Sequence, residues 1–386
     1  MDEEESSSEP SWERLARINR FYFKKNPKLK FSNVEMINSN GGSLTFDENN
    51  DLGEVVRKMT IRYASTQRGL DLLENEMLCL EHVRGAEHVI QTIASVQSKV
   101  NVSGTGRDRE YPILALEYLP HGSLLQFRER VTKANRFIPN RVLWRVFLCL
   151  ARQQLAFLLP QRASHDLPLW RETIGSKHGH STLGVIEQGS LGDGRNHRFR
   201  DHEPGDEDHG LVPAVVSTNF TRGRLSREFA DTVYLNMYSI GRFMTSLALN
   251  MMPEEDIKFE SRPHIMPALQ IRRIFPEQKI SMLEITTDVP TILMDDPGID
   301  YELKELIARC LAREERDMPT PRNLLLLCED GVRFRSPTDI DTIPVERQEE
   351  LRRGGDGDFV RQFILNADVN AGRSILGEQN RFGEWG

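Results

Sequence analysis

The separation of strand-like and helical sequence patterns into two blocks most constrains what this chain can fold into. From residue 31 to about 120, short β-branched and apolar segments alternate with turn residues, and one helical pattern falls at about 69–84. Beyond this block, apolar residues recur at helical spacing over 123–132, 141–160, 235–250 and 301–315. Strands first and helices afterwards favour an α+β chain in two lobes. One lobe is small and β-rich with one helix, and the other is larger and mainly helical.

The same patterns divide the chain into residues 1–30, 31–120, 121–335 and 336–386. The first part combines an acidic, Ser-rich start with a basic and aromatic helical pattern. The second part is the small lobe with the connection that follows it, and the third is the large lobe. A polar stretch at about 161–212 interrupts the third part and has the composition of a loop. The fourth part is a charged tail with one short helix predicted at 357–367.

The composition excludes several classes of partner. A net charge of -8 and a pI near 5.8 argue against a nucleic-acid-binding surface and against a polybasic membrane patch. The four cysteines stand singly, which is typical of buried thiols rather than of a disulfide framework. We therefore expect protein partners, without nucleic acid, a membrane surface or an obligate oligomer.

The sequence also predicts the compartment. The acidic start MDEEESSSEPSWERL is unlike a signal or transit peptide. The longest apolar stretch, 141–160, contains Arg145 and Arg152, so it is predicted as a long helix with one buried face rather than as a membrane span. A cytoplasmic protein is expected, with the nucleus as the alternative compartment, and secretion is not expected.

Four sequence motifs follow one another along these two blocks. They are LLENEMLCLEHVRGAEHVIQTIASV, YPILALEYLPHGSLLQF, NMYSIGRFMTSL and ELKELIARCLAREERDMPTPRNLLLL. In this order they resemble the small-lobe helix, the hinge, the central buried helix and the closing helices of the eukaryotic protein-kinase fold. The resemblance covers residues 31–335. More specifically, the chain resembles the divergent, degenerate kinase-like proteins of filamentous fungi.

The resemblance implies a nucleotide site in the small lobe. Glu76 takes the position of the acidic partner in the family's Lys–Glu pair, and Leu116 takes the gatekeeper position. The segment Glu117, Tyr118 and Leu119 would then meet the edge of an adenine.

The basic partner and the phosphate-covering turn depart from the family pattern. Arg62 stands where the family has the phosphate-pairing Lys, and we expect it to form a structural pair with Glu76. The turn INSNGGSL carries Gly41 and Gly42 between the family's three glycine positions, so close coverage of phosphates is not expected. A plain hairpin turn is the preferred interpretation.

The catalytic positions depart further. In KHGHSTLGV, His180 stands at the position of the catalytic Asp, and Val185 stands at that of the second metal ligand. Asn219 replaces the Asp of the metal-binding D-F-G motif and removes the negative charge that Mg²⁺ requires. A rival alignment makes Asp166 the base, but Arg171 then replaces the metal-binding Asn. No metal site is expected, and the histidines are interpreted as solvated or packing residues.

All of these replaced residues would serve one reaction, phosphoryl transfer. Their combined replacement predicts a pseudokinase that acts as a protein-binding or regulatory scaffold. ATP is the cofactor implied by the resemblance, with weak or absent binding, and Mg²⁺ is not expected. One alternative is a divergent active Ser/Thr protein kinase with His180 as base. A second alternative is an α+β interaction module unrelated to kinases. Fold does not decide among them, because function depends on the site residues.

Overall fold

The structure is a computed structural model of the 386-residue chain. It describes residues 29–38, 41–64, 67–101, 108–119, 121, 123–158, 186–188, 197–200, 214–217, 220–222, 229–251, 257–268, 282–334 and 359–365. The described chain mixes strands and helices, and the α+β class expected from the sequence is confirmed. The polar and aromatic N-terminal pattern over residues 1–28 lies outside the described residues.

The chain divides into two compact units. The first comprises Met1–Arg84 and Ile90–Tyr118, and the second comprises Gly85–Val89 and Leu119–Gly386. Each unit has its own secondary structure and is described separately below.

The first unit contains a five-stranded sheet with the strand order β1-β2-β3-β5-β4. Its strands are β1 (Leu29–Asn38), β2 (Gly41–Asn49), β3 (Val55–Ala64), β4 (Thr92–Asn101) and β5 (Asp108–Glu117). All neighbouring strands run antiparallel. Helix α1 (Gln67–His82) follows β3 and precedes β4.

Alternation of side chains along β3 places its residues on opposite faces of the sheet. Met59 and Ile61 are buried on one face, with Ile61 opposite Ala115 on β5. Arg62 shares the other face with Leu114, its direct partner on β5. The period-two pattern of the sequence therefore determines which residues lie beside Arg62.

Two boundaries in the first unit differ from the predictions. The helix was expected to continue to residue 84 but ends at His82, because Gly85 adopts a φ of 80° and a turn follows. In that turn the Val89 N–H donates to the Ala86 carbonyl at 3.2 Å. The strand expected from residue 88 therefore begins only at Thr92.

The second unit is built mainly of helices. They are α2 (Leu124–Lys133), α3 (Asn140–Leu158), α4 (Phe229–Leu249), α5 (Thr291–Asp295), α6 (Tyr301–Cys310) and α7 (Pro321–Phe334). Short antiparallel pairs join β6 (Ile186–Gln188) to β9 (Phe220–Arg222) and β7 (His197–Arg200) to β8 (Ala214–Ser217). A further antiparallel pair joins β10 (Arg262–Pro267) to β11 (Met282–Thr287).

Local sequence determines where α2 begins. Ser123 is the N-cap: its hydroxyl accepts the Gln126 backbone N–H at 3.2 Å. The Gln126 side chain in turn accepts the Ser123 N–H at 2.9 Å, which completes a capping box. The helical pattern predicted from residue 123 is confirmed to within one residue.

Two predictions for the second unit were wrong in detail. Helix α3 was expected to bury one face, but it is buried on nearly all sides, including Arg152, Gln153 and Gln154. Burial of Arg152 is compatible with its charge because Glu329 of α7 lies 3.9 Å away. The helix predicted over 301–315 ends at Cys310, since the residues that follow it pair with the end of β11 through a Thr287–Ala312 bridge.

Three features bear on the earlier expectations about cysteines and membranes. All four cysteines (Cys79, Cys149, Cys310 and Cys328) are buried and free, as the sequence predicts. Burial raises the pKa of the Cys310 thiol, so the unreactive thiol form is favoured. Across the residues described in the structure, no helix combines the length and the apolar character needed to cross a membrane.

Candidate functional site

The predicted pair between the third strand and the helix is present in the first unit. A guanidinium nitrogen of Arg62, on β3, donates to a carboxylate oxygen of Glu76, on α1. The Arg62 side chain is 14% exposed and the Glu76 side chain 7%. A strand residue and a helix residue 14 positions apart thus form a nearly buried ion pair.

Two opposing effects set the protonation of Glu76. Burial raises the pKa of the Glu76 carboxyl, because a low-dielectric surrounding disfavours its charged form. The charge and the hydrogen bond of Arg62 lower it. The Glu76 carboxylate therefore depends on Arg62 to remain charged at this depth.

The segment expected to meet adenine lies at the end of β5. Leu116 is fully buried, and it lies opposite Thr60 on the sheet face that also carries Arg62. Glu117 closes a reciprocal link with Gln91. The Glu117 N–H donates to the Gln91 carbonyl at 3.0 Å, and the Glu117 carboxylate accepts the Gln91 N–H at 2.6 Å. The backbone at this end of β5 is thereby held in place from both directions.

Tyr118 and Leu119 follow directly. The ammonium of Lys58 lies 5.4 Å from the centroid of the Tyr118 ring, within the range of a cation–π contact. Lys58 is four residues before Arg62 on β3, and its side chain is exposed. Leu119 is buried, and it belongs to the second unit.

The two glycines of the turn, for which close coverage of phosphates was not expected, lie in a strand. Gly41 pairs with Asn38 of β1 and Ala64 of β3, and Gly42 pairs with Tyr63 of β3. Since β2 has a neighbour on each side, strand pairing engages backbone groups that a phosphate would otherwise use. The hairpin predicted by the turn sequence is present, and its tip at residues 39–40 lies outside the described residues.

The remaining predicted site residues are not described. His180, Val185 and the rival base Asp166 lie outside the described residues, as does Asn219. The strand predicted before Asn219 is present as β8, and Phe220 opens β9 opposite Gln188. Arg62, Glu76 and the end of β5 are therefore the part of the candidate site for which the structure gives geometry.

Sequence reasoning missed one contact of this site and one buried polar cluster elsewhere. Gln91 has no motif signal, because its role comes from backbone pairing with Glu117. In the second unit, Asp288 is 1% exposed and accepts hydrogen bonds from Tyr238 at 2.6 Å, Ser261 at 2.9 Å and Arg313 at 2.7 Å. These four residues come from separate segments, so no short motif could reveal the cluster.

The residues of the Asp288 cluster form hydrogen bonds with one another. Burial, together with the hydrogen bond to Asp288, raises the pKa of Tyr238 to about 12. The same carboxylate raises the pKa of Arg313 and so holds its guanidinium charged. Three donors satisfy one carboxylate, which suits an anchor between helix α4 and the segments around it better than a reactive acid.

Metal binding finds no support in the described part of the chain. Among those residues, no group of three or more His, Cys, Asp or Glu side chains is arranged to hold a metal ion. The candidate site therefore consists of the Arg62–Glu76 ion pair, the buried Leu116 and the fixed end of β5.

We compared the chain with known protein families and curated proteins, and neither a family model nor a curated protein matches it. Function is therefore inferred from the residues of the candidate site and their positions in the first unit.

Proposed function

We propose that the chain is a degenerate protein kinase whose two units correspond to the small and large lobes of a kinase-like fold. In this proposal it acts through protein binding, with weak or absent ATP binding and no phosphoryl transfer. The observation that carries the proposal is the nearly buried Arg62–Glu76 pair between β3 and α1.

The architecture of the first unit supports this assignment. Its antiparallel sheet places a single helix between β3 and β4, and that helix supplies the acidic partner of the basic residue on β3. The resemblance described above requires these elements in this order. A generic α+β module has no need for a charged pair at this place, because buried pairs contribute little to stability compared with apolar residues.

The chemistry of the pair supports the loss of catalysis. Phosphoryl transfer uses a compact ammonium on the phosphates, held by a Glu, and metal ligands that neutralise the developing charge. Arg62 brings a planar, bulkier fork, and one of its donors is already engaged by Glu76. Asn219, Val185 and His180 stand at the metal and base positions of the sequence alignment. Binding of adenine at the end of β5 would then persist without metal-dependent chemistry.

Calorimetric and thermal-shift titrations of the full chain with adenosine, ATP and Mg²⁺-ATP test the proposal. We expect adenosine and ATP to give the same effect and Mg²⁺ to add nothing. For a dissociation constant of 1 mM or weaker, ligand at about 1 mM stabilises by at most about 0.4 kcal/mol, or roughly 1 °C in melting temperature. A phosphate-transfer assay is run on the same samples and is expected to show no product.

A Mg²⁺-dependent shift with phosphate turnover would overturn the proposal and establish the active-kinase alternative. Arg62→Lys supplies a matched test of the substituted position. If Arg62 is the reason for poor phosphate binding, this variant should bind ATP more tightly than adenosine, whereas the wild type should not. Identical adenosine and ATP affinities in both proteins would locate the defect elsewhere.

A further inference from the structure

The C-terminal tail contains a short segment whose apolar side chains are buried in the second unit. Residues 359–365 form a helical segment, of which Arg361–Leu365 is π-helical. Phe359, Val360, Phe363 and Ile364 are all buried, at exposures of 6%, 0%, 3% and 0%. These positions follow the spacing i, i+1, i+4 and i+5, which places them on one face of a helix. Arg361 and Gln362, on the other face, are exposed.

Helix α2 provides the surface on which this segment lies. Phe127 is fully buried, and its ring meets that of Phe359 edge to face, with centroids 6.1 Å apart and planes at 85°. Phe359 and Phe363 are themselves in contact, with centroids 4.8 Å apart. Three aromatic rings thus interlock between the segment and the helix, a geometry favourable beyond simple area burial.

A polar contact fixes the position of the segment along α2. The Arg130 Nε–H donates to the carbonyl of Phe363 at 2.9 Å, and Nη2 donates to the carbonyl of His121 at 3.4 Å. One guanidinium thus joins the tail segment to the backbone just before α2. The carbonyl that Arg130 meets belongs to the last turn of the described segment, where helix ends leave carbonyls without intrahelical partners.

We propose that the face of α2 around Phe127 and Arg130 is a docking groove for an amphipathic helix, and that residues 359–365 are its resident, exchangeable ligand. A helix this short does not form alone in water, so the segment is ordered by docking rather than before it. Anchors on one face, inserted into an apolar groove, are the pattern by which helical peptides are recognised. A partner carrying the same i, i+1, i+4, i+5 spacing would compete with the tail. This inference does not depend on nucleotide binding.

The first experiment releases the tail from the full chain. A protease recognition sequence replaces residues 340–346, the purified protein is cleaved, and the fragment is followed by gel filtration over a dilution series. We expect the fragment to leave the groove on dilution while far-UV circular dichroism and cooperative unfolding of the remaining chain are retained. A labelled peptide of residues 357–367 should then bind the emptied protein with a dissociation constant of about 10 µM. The uncleaved protein, whose groove is filled, is the matched control and should not bind the peptide.

Two outcomes would overturn the proposal. One is a fragment that stays bound at nanomolar concentration. The other is a remaining chain that unfolds when the fragment leaves. In either case the segment would be a permanent part of the core rather than an exchangeable ligand.

Substitutions separate the groove from general stability. In the peptide, Phe363→Ala should weaken binding by about tenfold to a hundredfold, since a buried aromatic anchor is lost. Gln362→Ala, at an exposed position, should leave the affinity unchanged. In the cleaved protein, Arg130→Ala should weaken peptide binding, whereas Glu129→Ala, at an exposed position of the same helix, should not. Equal affinities for all four variants would contradict the proposed mode of docking.

Discussion

The ion pair in the first unit gives the sharpest test of the structure. We consider Arg62→Met, which keeps an unbranched chain in place of the aliphatic stem of Arg but removes its charge and its donors. Glu76 is then left nearly buried without the group that opposes the effect of burial on its pKa. Removing one partner of a buried pair costs about 3–5 kcal/mol, a large fraction of the roughly 5–15 kcal/mol that stabilises a typical domain.

Replacing both partners should have a far smaller effect. In Arg62→Met/Glu76→Leu no charge is buried, and the apolar side chains fill a similar volume. We expect a stability within about 1 kcal/mol of the wild type, or above it. The interaction energy of the double-mutant cycle should therefore exceed 1 kcal/mol, as residues in direct contact show.

The pH dependence of Arg62→Met supplies an independent check. Burial raises the pKa of Glu76, and losing the guanidinium raises it further. Below the ordinary carboxyl pKa of 4.5 the folded and unfolded states are both protonated, so the variant carries no ionisation penalty. Above pH 4.5, Glu76 ionises first in the unfolded state. The free energy of unfolding of the variant then falls by up to about 1.4 kcal/mol per pH unit, until the pKa of Glu76 in the folded state is reached. The deficit relative to wild type should thus narrow as pH falls from 7 towards 4.5.

Urea unfolding followed by far-UV circular dichroism at pH 7 and pH 5 measures these effects. Glu81→Gln is the matched control on the same helix, because Glu81 is 58% exposed in its pair with Arg84 and exposed pairs contribute about 0–1 kcal/mol. If Arg62→Met costs less than 1 kcal/mol at pH 7 and shows no change at pH 5, the pair is not a mutually dependent buried pair. The support that it lends to the proposed function would then be withdrawn.

Three further predictions concern the second unit. In Gly331→Ala the new Cβ would meet ring atoms of Trp144 at 2.4–2.6 Å, so overpacking of about 1–3 kcal/mol should exceed the roughly 1 kcal/mol gained in helix propensity. Its melting temperature should fall, and adding Trp144→Phe should restore part of the loss; an unchanged value would contradict the packing. Tyr238 should ionise near pH 12 in an absorbance titration, and Asp288→Asn should lower its pKa. Since that pKa is raised above the ordinary 10, its contribution to stability is complete below pH 10 and is lost by pH 12. A titration that is the same in Tyr238→Phe would refute this. Asp300→Ala should cost about 1 kcal/mol in chemical unfolding, since its carboxylate caps α6 by accepting the N–H groups of Glu302 and Leu303, whereas Asp300→Asn should cost much less.

Much of the secondary structure could be predicted because its causes are local. The alternation in EVVRKMTIRY places β3 correctly, since neighbouring residues of a strand face opposite sides of a sheet. The helical spacing of apolar residues over 123–132 predicts α2, which begins at Leu124. Helix α4 is longer than expected. It begins at Phe229 rather than at 235.

Part of the candidate site was also predictable. Glu76 and Arg62 were expected to pair because the resemblance to protein kinases places them at the positions of that family's charged pair, and the pair is present. The reciprocal link between Gln91 and Glu117 was not expected, because these residues are 26 positions apart and meet only when the sheet has formed. The Asp288 cluster and the β10–β11 pair were missed for the same reason.

The sequence alone thus determined the α+β class, the order of the main elements, the free state of the cysteines and the residues that form the ion pair. Periodicity, capping and composition act over a few residues, so they can be read before the chain is folded. Only the tertiary structure decided the strand order, the burial of α3 on nearly all sides and the docking of Phe359 and Phe363 on Phe127. Those features depend on which distant segments pack against one another. The hydrophobic effect is non-directional, so a local sequence pattern shows that a face will be buried but not which segment will cover it.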